Sequence, residues 1–322
     1  MDAEQLAFEH HVLTAGCGLI DRSARGKMAL TGAQAKEFLT GQVTNDVLAL
    51  EVGQGCYAAF LTPKGKMRGD LRVLNLGDEL FLDTERSTLQ ELFTMIHRHR
   101  IGYQIEVHKR TLGQGLISLI GPHAREVAGA GLLGGQEYAS APLEVDGLST
   151  VAVATDLGVD LICAAGETQS VTGALLGRGA IAIGDEADET LRVESGRPRY
   201  GIDLDDTVIP QEAELNARAV SFTKGCYVGQ ETVARLFYKG KPNRHLRGLA
   251  LSAPAAAGDA LSSAGNDRLL GTLTSAAISP TFGPIGLALV RREAQLGETV
   301  GVGSGDITAE IVKLPFTTSP SN

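Results

Sequence analysis

The amino-acid sequence predicts an α+β fold of two related halves, followed by a C-terminal all-β region. Three observations lead to this prediction. Short strand-like runs alternate with segments of helical spacing through residues 1–240. A comparable order of strands and helix recurs beyond about residue 112. From about Leu246 the helical spacing disappears, and short apolar runs alternate with Gly, Pro, Ser and Asp.

The first half opens with helical spacing, because Ala33, Phe38 and Leu39 lie close to one face of a helix. A meander of three strands follows, and the predicted strands are residues 56–61, 71–76 and 80–84. Residues 87–98 then fit a helix, since Ser87 is a suitable N-cap and an apolar face follows it.

The second half repeats this mixture, with predicted strands at residues 116–120, 151–153 and 161–164 and a predicted helix at 167–176. Gly129, Gly131 and Gly134 match the dinucleotide pattern G-x-G-x-x-G. They follow a predicted helix, residues 122–128, rather than a strand. We therefore interpret them as a helix exit and loop and reject a Rossmann site.

The C-terminal region contains four apolar runs, LRGLAL, RLLGTLTSAA, IGLALV and EIVKL. Their spacing is typical of a β-barrel or a β-sandwich. Residues 240–243 are the predicted connection to this region.

Composition indicates a globular chain in a reducing compartment. With 322 residues, of which 43% are hydrophobic and 21% charged, the chain can bury a sizeable core in two or three domains. No apolar run approaches the roughly 20 residues that cross a bilayer, and the acidic start is unlike a signal peptide. The scattered cysteines favour the cytoplasm. We therefore expect a cytoplasmic protein without a membrane segment.

Charge and ligand spacing exclude two further classes of site. The net charge of −9 argues against general nucleic-acid binding. No Cys-x-x-Cys or His-Glu-x-x-His spacing predicts a metal site, and we expect the histidines at the surface. One basic group could be a local binding patch or simply a solvated face beside a linker: Arg235, Lys239, Lys241, Arg244 and Arg247.

Residues 224–235, KGCYVGQETVAR, have the composition of a functional loop. Gly225 and Gly229 bracket Cys226 and Tyr227, so the backbone can take positive φ angles or allow a close approach. The alternative is that the glycines merely end a strand and the cysteine is a small buried hydrophobic residue.

Nearby cations would make this thiol reactive. If the fold brings Lys224 or Arg235 close to a partly exposed Cys226, electrostatics favour the thiolate. Gln230 and Glu231 could begin a short helix, where Glu231 would be favourably placed against the helix dipole.

The motif Lys-Gly-Cys-Tyr-x-Gly-Gln-Glu resembles the signature of the YgfZ-type folate-binding proteins, which are relatives of the glycine cleavage T-protein. In this chain it comprises Lys224, Gly225, Cys226, Tyr227, Gly229, Gln230 and Glu231. Further segments fit in the expected order: GAQAKEFLTGQVTNDV, FLTPKGKMRGDLRV, LIGPHA and LRVESGRPRYGID.

The resemblance implies the architecture and the ligand. Residues 1–240 would form the T-protein-like region, with an internal boundary near 112, and residues 241–322 would form a β-barrel. The two α+β halves and the barrel would be arranged as a ring around a central channel. Tetrahydrofolate or a one-carbon derivative would bind in that channel.

Glu194 is the candidate pterin ligand, because it lies where the T-protein relatives carry their pterin-binding glutamate. One carboxylate can accept the paired donors of a pterin ring in a bidentate manner. The alternative is a surface glutamate that pairs with Arg192, Arg197 or Arg199.

Asp70 is the second candidate carboxylate, with a tentative catalytic role. It aligns with the acidic segment of the T-protein, which has Asp-Asp where this chain has Gly69 and Asp70. This departure weighs against aminomethyl transfer. Asp70 would either orient folate near its reactive nitrogens or pair structurally with Arg68 or Arg72.

Two main functions follow from the resemblance. In the first, the chain acts in the assembly, maintenance or repair of iron-sulphur enzymes, including those that methylthiolate tRNA, with folate and a reactive Cys226 as working parts. Its partners would be folate and iron-sulphur client or assembly proteins. In the second, it is a tetrahydrofolate-dependent aminomethyltransferase that uses Asp70. A folate-binding module without turnover is a third alternative.

Overall fold

The computed structural model of the chain describes residues 2–263 and 268–317. The helices in these residues are α1 (Ala3–Ala15), α2 (Ala35–Gln42), α3 (Leu89–His99), α4 (Ala124–Ala128), α5 (Thr168–Gly177), α6 (Asp185–Glu194), α7 (Asn216–Ala219) and α8 (Gln230–Lys239). The strands are β1 (Gly18–Asp21), β2 (Gly26–Thr31), β3 (Gly55–Leu61), β4 (Met67–Asn75), β5 (Leu80–Thr84), β6 (Glu106–Lys109), β7 (Gln114–Ile120), β8 (Ser140–Val145), β9 (Leu148–Ala154), β10 (Gly158–Ala164), β11 (Ile181–Ala182), β12 (Arg244–Leu251), β13 (Ala260–Ser263), β14 (Leu269–Ser279), β15 (Gly283–Arg291), β16 (Thr299–Val302) and β17 (Thr308–Val312). None of the helices in these ranges is long and apolar enough to cross a membrane.

The chain divides into two compact units, each built from separate segments. The two-sheet unit contains residues 11–185 and 217–230. The barrel unit contains residues 2–10 and 186–216, together with the described residues from 231 onwards. The predicted boundaries near 112 and after 240 stay predictions.

The first sheet of the two-sheet unit has the strand order β3-β4-β5-β2-β6 and is antiparallel throughout. Helix α3 forms because Leu89, Leu92, Phe93 and Ile96 recur at helical spacing and give it one apolar face. Leu92 and Ile96 are fully buried in the core cluster that also contains Phe38 of α2.

Strand β4 presents opposite faces to different surroundings, because side chains alternate along a strand. Leu71 and Val73 belong to the helix-covered core. Leu74, on the other face, packs in a second cluster with Leu116 and Ile162 of the second sheet. Alternation therefore places Asp70 and Arg72 on the same face as Leu74, towards the second sheet.

The second sheet has the order β11-β1-β7-β10-β9-β8. Its strands pair antiparallel except for β1 and β11, which are parallel. Strand β1 precedes the whole first sheet in the chain, so the two sheets are interleaved in sequence. The glycines at 129, 131 and 134 follow helix α4, and the predicted helix exit is confirmed.

The C-terminal strands close into a six-stranded barrel of order β12-β15-β14-β13-β16-β17. Pairing of β12 with β17 completes the closure, and the interior includes Leu249, Leu261, Leu273 and Ile311. The sequence left a β-barrel and a β-sandwich as alternatives for this region, and the closed sheet identifies it as a barrel. The predicted fold class, two α+β halves followed by a β-barrel, is confirmed.

One detail of the sequence prediction is wrong. Ser87 does not cap α3, because the helix starts one residue later, with Thr88 as the N-cap residue and no side-chain capping bond. The Thr88 hydroxyl instead donates to the carbonyl oxygen of Glu85 at 3.0 Å. The N-cap residue therefore bonds to the preceding turn and not to the free N–H groups of the helix.

Candidate functional site

A polar cavity of about 230 Å³ lies in the two-sheet unit and is lined by residues of both sheets. Asp70 and Arg72 reach it from β4, and Ser118 and Asp160 reach it from β7 and β10. Alternation along β4 explains why a carboxylate and a guanidinium two residues apart face the same space.

Asp70 is 6% exposed and accepts a hydrogen bond from Tyr57. The distance from Tyr57 Oη to Asp70 Oδ2 is 2.6 Å. The two residues lie on neighbouring antiparallel strands, where Asp70 is registered opposite Ala59. Burial raises the pKa of Asp70 to about 6, although the Tyr57 bond and the charge of Arg25 oppose this rise.

The structural alternative for Asp70 is wrong. In the part of the chain that the structure describes, Asp70 forms no ion pair with Arg68 or Arg72. Arg68 pairs with Glu91, and Arg72 donates to Asp83 and, at 2.5 Å, to Asp160.

Arg72 is the central residue of a charged network between the sheets. Asp83 of β5 also accepts from Arg25 at 2.6 Å, and Ser118 donates to Asp160 at 2.6 Å. Burial is the largest single influence on Asp83 and raises its pKa. The charges and hydrogen bonds of Arg25 and Arg72 together outweigh burial, so the pKa of Asp83 is lowered. The network fixes the polar wall beside Asp70, and sequence reasoning missed it because its members are far apart in the chain.

Gly69 cannot be replaced by a residue with a side chain without a local shift. Its φ is 157°, and a Cβ at this position would lie 2.5 Å from two ring atoms of Phe60. Such a contact is far shorter than packed side chains allow. The fold therefore leaves no room in this conformation for an Asp-Asp pair at residues 69 and 70.

Glu194 lies in the barrel unit, at the end of α6, and is 7% exposed. The Ser279 hydroxyl donates to its Oε1 at 2.5 Å. The same Ser279 oxygen accepts the backbone N–H groups of Thr281 at 3.0 Å and Phe282 at 2.9 Å. A turn after β14 thus orients the hydroxyl towards the carboxylate.

His10 is the second partner of Glu194 and was missed in the sequence. Its Nε2 lies 2.9 Å from both carboxylate oxygens. The prediction that the histidines lie at the surface is wrong for His10, which is 5% exposed. His10 and Glu194 are 184 residues apart in the chain, so no local sequence pattern could have indicated their contact.

The surface alternative for Glu194 is also wrong. Its carboxylate is buried, and Arg192 bonds instead with Asp203 at 2.7 Å and Glu189 at 2.6 Å. Among the described residues, no lysine or arginine forms an ion pair with Glu194. A buried anion without a permanent cationic partner retains affinity for hydrogen-bond donors.

The signature loop lies in the two-sheet unit up to Gln230. Gly229 has φ 85°, and a Cβ there would lie 2.6 Å from the Thr62 carbonyl oxygen. This glycine is therefore required by both conformation and space. Gly225 meets neither requirement, since a Cβ at that position would have no neighbour within 4 Å.

Lys224 anchors this loop to the end of α2. Its ammonium donates to the carbonyl oxygens of Thr40 and, at 2.8 Å, Val43, and lies 4.7 Å from the centre of the Tyr227 ring. Burial lowers the Lys224 pKa to about 8, while the charges of Asp46 and of the Cys56 and Cys226 thiols act in the opposite direction. Lys224 therefore lies within electrostatic range of Cys226, and the reactivity of Cys226 stays a prediction.

Cys226 is exposed, whereas Cys17 and Cys163 are buried and Cys56 is intermediate. The helix predicted at Gln230 is confirmed, because α8 begins at this residue. No side chain of the signature lines the cavity at Asp70 in the described residues. Arg218, which precedes the signature, does line that cavity, with its guanidinium carbon 5.4 Å from the Tyr57 ring centre.

The structure divides the candidate residues between the units. The two-sheet unit holds Asp70 and the signature residues from Lys224 to Gln230, whereas Glu194 and Glu231 belong to the barrel unit. Across the described ranges, no group of three or more His, Cys, Asp and Glu side chains is arranged to hold a metal ion.

Comparison with known proteins gives matches over nearly the whole chain. A protein of Arabidopsis thaliana, described as chloroplastic and only by the general class of transferase, is 31% identical over 312 residues, covering 94% of this chain and 71% of that protein. The aminomethyltransferase of Halothermothrix orenii is 30% identical over 325 residues, with 96% and 90% covered.

The fold has a close structural counterpart. The crystal structure of glycine cleavage system aminomethyltransferase T from Bartonella henselae matches with a TM-score of 0.86 and 24% identity, covering 97% of this chain and 89% of that chain. Family models also match both regions: the GCVT N-terminal domain over residues 2–224, and the glycine cleavage T-protein C-terminal barrel domain over residues 244–317. The chain therefore belongs to the glycine cleavage T-protein family.

Proposed function

We propose that this chain is a folate-binding protein of the YgfZ type. In this proposal it binds tetrahydrofolate or a one-carbon derivative through Glu194. It then acts with Cys226 in the assembly, maintenance or repair of iron-sulphur enzymes, including those that methylthiolate tRNA. The observation that supports folate binding most directly is the buried, hydrogen-bonded carboxylate of Glu194.

The surroundings of Glu194 suit a pterin ring. Ser279 uses one acceptor site of the carboxylate, and the single Nε2 position of His10 is shared by both oxygens. An ionised carboxylate has about four acceptor sites, so capacity remains for the paired N–H donors of a pterin. Because Ser279 and His10 fix the carboxylate, little side-chain entropy is lost on binding.

Each residue then has a defined role in binding. Glu194 accepts the pterin donors, Ser279 holds one carboxylate oxygen in place, and His10 restricts rotation of the whole group. Tetrahydrofolate supplies a carrier for a one-carbon group when it is bound.

The signature loop supports the role beyond simple binding. Cys226 is exposed, and Lys224 and Gly229 fix the backbone on either side of it. An exposed thiol between two anchored residues is accessible to a partner protein. The client is an iron-sulphur enzyme or an assembly protein in this proposal, and the cytoplasm is the proposed compartment.

A second candidate is a tetrahydrofolate-dependent aminomethyltransferase, the activity named for several relatives. Asp70 favours it, because a buried carboxyl group with a pKa of about 6 is suited to proton transfer near neutral pH. Gly69 weighs against it, since the Asp-Asp pair of the T-protein does not fit here. A folate-binding module without turnover is the third candidate.

The first experiment is a calorimetric titration with tetrahydrofolate. We expect binding by the wild type and a roughly hundredfold loss in Glu194→Ala, because two charge-assisted hydrogen bonds are removed. Glu298→Ala, an exposed glutamate of the barrel unit, is the matched control and should bind normally. Unchanged binding in Glu194→Ala would overturn the anchor, and no binding by the folded wild type would overturn the ligand.

A second experiment separates the candidate functions. Formation of methylene-tetrahydrofolate from an aminomethylated carrier protein would identify the aminomethyltransferase. Impaired activity of iron-sulphur enzymes in cells that carry Cys226→Ser, with normal folate binding by the purified variant, would support the first candidate. Normal activity in those cells would exclude a working role for Cys226.

A further inference from the structure

Helix α8 presents one face that the proposed function does not use. Val233 is fully buried, and Gln211 donates to its carbonyl oxygen at 2.6 Å, so this side of the helix is attached to the barrel unit. Arg235, Tyr238 and Lys239 are separated by three and four positions and therefore share a face. All three are exposed.

Two large aromatic side chains add to this exposed surface. Phe237 is 48% exposed and Tyr238 is 65% exposed. Their ring centres are 5.0 Å apart at an interplanar angle of 82°. Adjacent exposed aromatics are uncommon on a surface with no binding role, and tyrosine and arginine are enriched where interfaces bind most strongly.

Three cations on or just after this helix are unpaired within the described ranges, and Glu231, four positions before Arg235, is the one acidic residue of the helix. Arg235, Lys239 and Lys241 form no ion pair with any residue that the structure describes. The other two members of the basic group differ, because Arg244 pairs with Glu212 at 2.9 Å and Arg247 with Glu214 at 3.0 Å. The unpaired cations therefore belong to the same short segment as the two aromatic residues.

We propose that the exposed surface of α8 and of the residues just after it, defined as Arg235, Phe237, Tyr238, Lys239 and Lys241, is the docking surface for an acidic patch on the partner protein that Cys226 acts upon. The inference rests on the proposed function, because it names the partner's chemistry. Helix α8 begins four residues after Cys226 in the chain, so the thiol and the contact surface are neighbours in sequence.

Charge complementarity selects a protein partner rather than a nucleic acid. The chain carries a net charge of −9. An extended polyanion would reach beyond the three cations, and the net negative charge of the protein would repel it there. A compact acidic patch on a protein would contact the cations, and the apolar residues around that patch would contact the two rings. This matches the composition of a protein interface with aromatic anchors and a charged rim.

The test uses the full chain and two labelled probes of equal net charge: a synthetic peptide rich in glutamate and leucine, and a single-stranded RNA. Fluorescence anisotropy should show that the wild type binds the peptide more tightly than the RNA. Replacing both aromatics, Phe237→Ser with Tyr238→Ser, should weaken peptide binding at least about tenfold. Arg235→Glu with Lys239→Glu should do the same.

Matched controls keep the outcome specific. Arg291→Glu with Arg292→Glu makes the same change in charge at exposed residues elsewhere in the barrel unit and should leave peptide binding unchanged. Equal peptide binding by the α8 variants, no peptide binding by the wild type, or tighter RNA binding would each overturn the proposal. Sedimentation that shows a dimer dissociated by the same changes would identify a second copy as the occupant and overturn it too.

Folate titration separates this proposal from the proposed function. The α8 variants should bind tetrahydrofolate like the wild type, and iron-sulphur enzyme activity in cells should fall to the level of Cys226→Ser. Normal enzyme activity with lost peptide binding would overturn the link to the Cys226 partner. Absence of tetrahydrofolate binding by the wild type, together with normal peptide binding, would overturn the proposed folate ligand but would support the docking surface.

Discussion

Tyr57 donates a 2.6 Å hydrogen bond to the buried carboxyl group of Asp70 across adjacent strands of the first sheet. Burial and hydrogen bonding act on this carboxyl in opposite directions. Burial disfavours the ionised form, whereas the phenol stabilises it. The protonation state of Asp70 therefore depends on a residue thirteen positions earlier in the chain.

Removal of the phenol should move the titration of Asp70. We expect Tyr57→Phe to raise the Asp70 pKa further above about 6, by roughly one unit, because the ionised form loses a hydrogen-bond donor. Carbon NMR of the labelled carboxyl group measures the shift. Tyr103→Phe is the control, and a lower pKa in Tyr57→Phe would contradict the assignment.

Asp70 should also make stability depend on pH. Its folded pKa of about 6 exceeds the ordinary value of 3.8, so the folded state binds the proton more readily between these values. The Asp70 contribution to the free energy of unfolding should therefore fall as pH rises through this window. Asp70→Asn should remove this slope and gain at most about 3 kcal/mol at neutral pH.

Urea denaturation at a series of pH values measures this contribution. Asp78→Asn, at an exposed position, should keep the wild-type slope. A steeper fall in stability for Asp70→Asn between the two pKa values would contradict the prediction.

Gly69 should tolerate no side chain. Gly69→Asp should lower the free energy of unfolding by about 2–4 kcal/mol, because its Cβ would overlap the Phe60 ring. Gly131→Ala is the matched control, since no atom lies within 4 Å of a Cβ at that position. Thermal unfolding measures both, and equal midpoints for the two variants would show that Phe60 moves aside at little cost.

His10 should support folate binding only through Glu194. We expect His10→Ala to weaken tetrahydrofolate binding about tenfold, because the carboxylate loses one of its two side-chain partners. The double variant with Glu194→Ala should bind no more weakly than Glu194→Ala alone. His245→Ala, which removes an outer pair with Glu214, is the calorimetric control, and additive losses would indicate an independent contact.

Cys226 should be the first thiol to react with iodoacetamide, since Cys17 and Cys163 are buried. Mass spectrometry of peptides at successive times measures each rate. Cys226→Ser should remove the fast phase, and Cys163→Ser should leave it. Equal rates at Cys163 and Cys226 in the folded protein would contradict the assigned exposure.

The sequence was informative where chemistry is local. Helical spacing located α3, the signature predicted the start of α8 at Gln230, and strand alternation explains why Asp70 and Arg72 share a face. These features depend on residues within a few positions of each other.

Contacts across the chain could not be predicted in this way. The pairing of Tyr57 with Asp70 depends on the register between β3 and β4. The turn at residues 63–65 does not determine this register alone, because the register shifts between Phe60 and Leu61. The contact between His10 and Glu194 spans 184 residues and requires the assembled barrel unit. The sequence likewise did not show which cations of the basic group are paired: Arg244 and Arg247 have partners, whereas Arg235 forms no ion pair within the part of the chain that the structure describes.

The contact between His10 and Glu194 also has a consequence for biosynthesis. His10 leaves the ribosome long before Glu194, and at about 5–20 residues per second the delay is roughly ten to forty seconds. Throughout that interval the buried side of the first helix, which includes Leu6 and His10, has no completed barrel unit to pack against. Early chaperone contact with the nascent chain should therefore include residues 3–10, and it should end only after the last barrel strand has emerged.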